Sequence, residues 1–451
     1  MPANIAKYRL SIADIPSENF EVIDFSGCDA IGALYWFVIH FRMSKVSALA
    51  PPSAAILGET CRFDFVQNGV LIPYCGVVTQ FGVSDSDDTC YTIRLEPRMH
   101  SLTLNSTTRA FQNLTVLEAI ESVATEAGLS EHIRFEVEPD DIKYPKREFC
   151  VQHRETHLAF ISRLMEAYGL WYRFEQATHS DGTLIERAIV SDEFFRFPSL
   201  GRSIPFMKGK GLAEITSAGS AVESVNDISA SSKLMPQSVR VRTYNHRTPE
   251  SAPDAISDVT DGHEGRIYEY GGTARNSSEA ERHAELHARR LWVEHSLGEG
   301  KSNCASFHAG QCVSIRHKDN DSLEGTYLLV SVKHFGGWDG GAYTYRNEFT
   351  CVRAEQEIYA LPLRTPVPHI PGVITARIGA TGDGIPTLNE YGNYKANMLF
   401  ELGDGQGDTD QNGSDYNGSK HIRRIQFSGG VLDDGSYGSH FTSKRGAEVV
   451  L

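Results

Sequence analysis

The chain has 451 residues, 40% hydrophobic and 22% charged, which excludes a wholly disordered polymer and predicts roughly two to four domains. Lys and Arg total 43 against 58 Asp and Glu, and the net charge of −15 argues against nucleic acid as a partner. The longest apolar run, Ala33–Ile39, is far short of the ~20 residues a spanning helix needs.

Residues 8–96 read as strands. YWFVIHFR (35–42), Cys61–Val66 and Tyr91–Leu95 are rich in aromatic and β-branched residues. Asn68-Gly69 between CRFDFVQ and VLIPYCGVV predicts a hairpin, because both central turn positions need positive φ. Three helices follow. The first spans Val116–Ala127, with Thr115 and Glu118 at capping-box spacing; Val116, Leu117, Ile120, Val123, Ala124 and Ala127 form its apolar stripe, closed by Gly128. The second spans Thr156–Tyr168, with Leu158, Ile161, Leu164, Met165 and Tyr168 on one face and Gly169 behind it. A strand, Leu170–Glu175, comes next. Residues 215–265 are Ser-, Ala- and Asp-rich and read as loops and insertions with a few strand pieces such as Ser238–Thr243. The third helix covers Ser278–Leu297, capped by Asn276 and Glu279 and ended by Gly298. Residues 305–353 return to strands. The expected fold class is β-dominated α+β.

Pro362, Pro366, Pro368 and Pro371 mark a semi-rigid linker over 362–371. Beyond it, 372–451 form a small module with four strand-like runs: GVITARIG, YKANMLFEL, HIRRIQFS and FTSKRGAEVVL. Leu451 falls inside an apolar run, so the natural polypeptide is expected to continue. The opening MPANIAKYRL has no basic-then-apolar leader pattern, so export is expected to use a machine that reads none.

Candidate chemistry is sparse. The eight cysteines form no CxxC pair and are expected to be reduced, mostly buried thiols. His283 and His287 lie four apart, with His295 near the same face. Glu285 is one position late for a zincin, and a third ligand is not evident. HSLGEGKS (295–302) ends like a phosphate loop but has His295 in place of the first Gly and follows a helix. Gly298 and Gly300 are therefore expected to form a turn. Asp408, Asp410, Asn412 and Gly413 match the start of a calcium loop whose closing position holds Ser419 rather than a bidentate Glu. No G-x-S-x-G elbow is present. Asp140-Asp141 and Asp433-Asp434 carry no glycosidase signature, and the latter precedes Gly435 as a turn. No catalytic residue, cofactor-binding residue or metal ligand is assigned, and no cofactor is expected.

One set of segments runs in order along the chain: Ile56-Leu57-Gly58 with GVVT (76–79), FQNLTVLEAIESVATEAG (111–128), REFCVQHRETHLAFISRLMEAYGLWYRFE (147–175), Gly325–Phe349, Asn389-Glu390-Tyr391-Gly392 with Lys395, and Arg445–Val450. Together, and most strongly at 147–175, they resemble the VgrG spike proteins of type VI secretion and the related tail hubs of contractile phages. The chain departs from the family where a Phe-Pro-Trp run is replaced by Met398-Leu399-Phe400 and the acidic loop 403–420.

The resemblance implies a first hub β-barrel over 1–100, a helix-containing hub segment over 101–175, and a second hub barrel with insertions and a long helix over 176–361. The linker and an incomplete OB-fold barrel over 372–451 would follow, without the family's β-helix needle. It implies a structural, non-enzymatic homotrimer. Its partners would be a hexameric Hcp-like tube, a PAAR-like tip, effector proteins and baseplate components, with no nucleic acid. It would be cytoplasmic before firing and secreted afterwards. The alternatives are a phage or phage-derived tail hub and a spike carrying an effector enzyme beyond residue 451.

Overall fold

The computed structural model describes residues 7–43, 56–85, 89–179, 181–208, 222–245, 248, 250–339, 342–354, 357–370, 372–378, 380–381, 385–386, 394–398, 420–422 and 448–450. The chain divides into two compact units. The first takes 1–104, 116–145 and 161–365; the second takes 105–115, 146–160 and 366–451.

The first unit opens with β1 (Lys7–Ile12), β2 (Phe20–Ala30), β3 (Trp36–Met43), β4 (Thr60–Gln67), β5 (Val70–Asp85) and β6 (Thr89–Glu96). Alternation of apolar and polar residues sends one phase of each strand inward: Phe37, Ile39 and Phe41 in β3, and Cys61, Phe63 and Phe65 in β4. The β4–β5 hairpin turns at Asn68 (φ 51°) and Gly69 (φ 80°), as the pair predicts.

Elements from the middle of the chain follow in order. β7 (Ser106–Phe111), α1 (Val116–Glu126), β8 (Ile133–Phe135), β9 (Cys150–Thr156), α2 (His157–Tyr168), β10 (Trp171–Thr178), β11 (Leu184–Ser191) and β12 (Ser199–Pro205) lead to β13 (Val225–Ala230). On α1 the buried stripe includes Ala119, while Leu117 is only half-buried; on α2 Phe160 is buried and Leu158 is not fully so.

The stretch read as loops and insertions holds the expected strand at Ser238–Thr243 and more strands besides. β13 lies among them, and β14 (Ser238–Arg242), β15 (Asp254–Asp258) and β16 (Arg266–Tyr270) form a three-stranded sheet in the order β15-β14-β16. Only Val239, Val241 and Ala255 of β14 and β15 are buried apolar side chains, so the strands look polar in sequence. α3 (Ser277–His295) packs on that sheet, with Ala280 buried against Ala255 and Ala274. Its cap is the expected one: Asn276 Oδ1 accepts from Glu279 N (2.9 Å), and Glu279 Oε2 accepts from Arg275 N (3.1 Å).

A second correction concerns Gly298 and Gly300. They lie not in a turn but in β17 (Gly298–Ser302), paired with β13 on one side. β18 (Cys312–Arg316), β19 (Gly325–Asp339) and β20 (Ala342–Arg353) finish this unit's sheet, and β20 takes the other side of β17. A Cβ on Gly300 would lie 2.3 Å from the Phe349 ring, so glycine lets that ring lie across the strand.

One large sheet runs β1-β4-β5-β6-β3-β2-β19-β20-β17-β13, with β18 and β12 branching from β19. The β19–β20 hairpin is a wall common to two cores. The β19–β20 register shifts between Leu329 and Ser331. Residues 325–328 pair with β18, and residues 331–337 pair with β2. One core holds the aromatic residues of β1–β6, with Tyr343 and Tyr345 of β20 packed against it. The other holds Val225, Ile228, Phe307, Val313, Ile315, Tyr327, Leu329 and Phe349. The second barrel closes where Phe206 bridges Val225 in parallel.

In the second unit, β7 pairs with β9 and Phe111 stacks on Phe160 at 5.3 Å. β21 (Thr375–Ile378), β22 (Ala380–Thr381), β23 (Ile385–Pro386), β24 (Tyr394–Met398), β25 (Lys420–Ile422) and β26 (Glu448–Val450) follow. Four of them make a sheet in the order β25-β24-β21-β26 around Ala376, Ile378, Tyr394 and Ala396. The calcium-loop residues Asp408–Ser419, the Asp433-Asp434 turn and the Asn389–Gly392 motif lie outside the described residues.

Candidate functional site: a buried polar crosspiece

Residues 303–311 leave β17 and cross the interior instead of the surface. Ala305 is buried in the first barrel's core, Cys304 and Phe307 in the second, and Ala309 in the core that α3 covers. A segment without its own ladder must find partners for its backbone polar groups when buried. Here side chains from the surrounding strands supply them. Gln67 of β4 donates Nε2 to the Asn303 carbonyl (2.8 Å) and accepts from Ala305 N (2.8 Å). Asn347 of β20 donates to the Cys304 carbonyl (2.7 Å), and Ser302 Oγ accepts from Cys304 N (3.2 Å). Asp29 of β2 accepts from Ala309 N at 3.0 Å.

His308 and its neighbours extend this set. Tyr74 Oη lies 2.8 Å from His308 Nδ1 and 3.4 Å from His334 Nε2, and His334 Nδ1 lies 2.7 Å from Tyr345 Oη. Burial pushes Asp29 up to about 7, against the lowering effects of the Ala309 amide and the Arg173 charge. Burial also drives His334 well below the usual imidazole range and raises the Tyr74 hydroxyl well above its own. Among these described groups every shift favours the neutral form, and none creates an activated nucleophile. The arrangement can fix geometry; it offers a substrate no reactive atom.

The other sequence candidates are dispersed. His287 Nδ1 sits 3.2 Å from Glu269, and His295 Nδ1 faces the Leu291 carbonyl at 2.8 Å, closing its own helix. Among the described residues no group of three His, Cys, Asp or Glu side chains is placed to hold a metal. Asp140 Oδ1 accepts from Ile142 N and Lys143 N at 2.7 and 2.9 Å, a local turn that lowers its pKa. Of the eight cysteines, Cys61, Cys75, Cys304 and Cys351 are buried and the other four half-buried.

The crosspiece partners are not singled out by the sequence, yet they carry a signal. Gln67 continues the inward phase Cys61, Phe63, Phe65; Asn347 continues the inward phase that Phe349 and Cys351 keep; His334 follows Val332. A polar residue in the apolar phase of a buried strand marks a required hydrogen bond.

Residues 29–340 match the family described as phage tail baseplate hub (GPD). The chain belongs to this family. Its match to the type VI secretion system spike protein VgrG1a of Pseudomonas aeruginosa is 28% identical over 378 residues, covering 80% of this chain and 54% of the relative. The actin cross-linking toxin VgrG1 of Vibrio cholerae is 23% identical over 420 residues, covering 87% of this chain and 36% of the toxin. The hub chain thus spans about half the length, or less, of these curated relatives. In structure it resembles the E. coli c3393 protein, described as a type VI secretion component similar to T4 tail proteins gp27 and gp5. The TM-score is 0.63 at 22% identity, covering 88% of this chain and 90% of that one. The crosspiece lies within the matched span.

Proposed function

We propose that this chain is the structural base of a type VI secretion spike. Three copies would share an axis, and their paired barrels would form a ring that caps a hexameric Hcp-like tube. The ring would carry a PAAR-like tip or an effector and rest on baseplate components. It would wait in the cytoplasm and be secreted when the sheath contracts. The hub segments over 1–100, 101–175 and 176–361 would form the ring, and 372–451 an OB-type neck beyond the linker. A closed threefold is an ordinary point-group solution.

The observation that carries the reading is the pair of barrel cores sharing the β19–β20 wall, within a hub-family match over 29–340. A part that transmits thrust needs a rigid joint, and the crosspiece supplies one. Nothing in this role requires catalysis. Molar mass in solution tests it: a trimer that binds Hcp-type rings is expected, and a stable monomer at micromolar concentration that ignores such rings overturns it.

A spike that delivers an enzyme is the second reading, favoured by the name of the cross-linking toxin among the relatives. Reading the gene beyond Leu451 separates the two. The family description also fits a phage-derived hub, and neighbouring genes for tail assembly or for a secretion membrane complex would decide between the machines.

A further inference from the structure

The crosspiece contains a hydrogen-bond chain whose direction can be read from its fixed end. The Cys304 carbonyl can only accept, so the Asn347 atom 2.7 Å from it is the amide nitrogen. Asn347 Oδ1 accordingly accepts from Ser302 Oγ at 2.6 Å. The same amide nitrogen lies 3.2 Å from Tyr345 Oη and donates to it. Continuing that order, Tyr345 gives its own proton to His334 Nδ1 (2.7 Å), the assignment in which a neutral His334 carries its proton on Nε2. That Nε2–H points at Tyr74 Oη (3.4 Å), and Tyr74 donates onward to His308 Nδ1 (2.8 Å). In this assignment both imidazoles are neutral, as their burial favours, and Nδ1 of each accepts a hydrogen bond.

We infer that this one-way chain, Asn347 to Tyr345 to His334 to Tyr74 to His308, is an acid-sensitive latch on the 303–311 crosspiece. An added proton has no free nitrogen to enter. To bind it, Tyr345 or Tyr74 must turn its hydroxyl proton away and accept from the ring instead, which breaks the one-way order that holds the crosspiece and places a charge in the core.

The groups facing the two histidines set the sign. Asp29 Oδ2 of β2 lies 3.8 Å from His308 Nδ1, and the Arg173 charge of β10 also acts on His308. His334 of β19 faces Tyr74 of β5, Tyr345 of β20 and His308 itself, between the rings of Phe37 and Phe65. Side-chain exposure of His308 is 33%, while His334 is at 0%, so the heavier penalty for a charge falls on His334. A histidine depressed on folding contributes stability in full above its unfolded value of 6.5 and loses it as pH falls below that. Asp29, raised from 3.8 to about 7, works in reverse and gains stability over the same descent.

Urea unfolding of the full chain at pH 7 and pH 5 tests the latch, with H334Q and D29N as variants. Gln can accept from Tyr345 and donate to Tyr74 without titrating. H334Q should lose on the order of tenfold less of its folding equilibrium constant than wild type over this interval, and D29N on the order of tenfold more. Equal acid dependence in all three proteins overturns the inference. Ring nitrogen-15 shifts of the wild-type protein give a second reading that needs no variant. Both histidines are expected as the Nε2–H tautomer at pH 7.5, with His334 unchanged to pH 5 while the fold persists. An Nδ1–H tautomer at His334, or its titration near 6.5 in the folded state, overturns the latch.

Discussion

Glu166 holds Thr365 by both its oxygens. Oε2 accepts from Thr365 N at 2.9 Å and Oε1 accepts from Thr365 Oγ1 at 2.7 Å, while Oε2 also takes Arg364 N at 3.0 Å. Arg290 braces the same place, donating to the Glu166 carbonyl and, through Nε, to the Leu361 carbonyl at 3.1 Å. The stretch before Pro366 is therefore tied down through Thr365, three residues into the segment the sequence marks as linker.

Replacing Glu166 by Ala would leave two backbone amides without their acceptor. Hydrogen bonds to a charged group contribute about 1.5–3 kcal/mol, and with Thr365 half-buried and Arg364 exposed E166A should lose roughly 2 kcal/mol. The sharper readout is limited proteolysis, which should cut within 362–371 many times faster in E166A than in wild type. Unchanged cleavage would mean that the clasp does not restrain the linker.

Gln67 bridges a carbonyl and an amide two residues apart on the crosspiece, so both its ends matter. Q67A should cost about 2–3 kcal/mol in chemical denaturation. Q67E should cost more, because it buries a carboxylate and removes the donor to the Asn303 carbonyl. Near-equal stability of Q67E and wild type would contradict the role given to this side chain.

Gly76 of β5 tests close approach. A Cβ there would lie 2.1 Å from the Glu96 carbonyl oxygen, a backbone atom that cannot swing aside. G76A should lose about 3 kcal/mol or more, at the upper end of overpacking costs. A melting temperature within a degree or two of wild type would show that the β5–β6 ladder shifts freely.

Arg240 supplies the contrast. Its guanidinium grips Asp254 with bonds of 2.9 and 2.6 Å on the outer face of the β14–β16 sheet, where both partners are partly exposed. Exposed pairs contribute about 0–1 kcal/mol, so R240A should shift stability by less than about 1 kcal/mol despite the bidentate geometry. A larger loss would show that this face depends on the pair.

Burial raises the thiols of Cys75 and Cys351 to about 12 and that of Cys312 to about 11, from an ordinary 9.0. A group raised on folding contributes stability in full below its unfolded value and loses it as pH climbs toward the folded one. Stability should therefore fall between pH 9 and 11. At pH 8 the native protein should leave Cys61, Cys304 and Cys351 unlabelled by a thiol reagent until urea is added. Rapid labelling of all eight cysteines in native buffer would count against the packed cores.

Periodicity and capping chemistry are local, and that is why so much could be read directly. α1, α2 and α3 fall within a residue or two of their expected spans; the Asn68-Gly69 turn and the Asn276–Glu279 cap form as their spacing requires. The same logic misread Gly298 and Gly300, because a glycine that admits a ring looks identical to one that makes a turn. It found β14 at Ser238–Thr243 but not its partners β15 and β16, whose outward residues are polar.

The sequence by itself determined the β-dominated class, the helices, the strand phases and the resemblance to a spike base, since each depends on residues a few positions apart. Tertiary structure alone decided that β19 serves two cores, that 303–311 runs through the interior, and that Asp29, Gln67, Tyr74, His308, His334, Tyr345 and Asn347 meet. Those residues are brought together by pairing register over as many as 280 positions, as from Ala309 to Asp29. Register is set by which faces must be buried together, and no short window of residues contains that information.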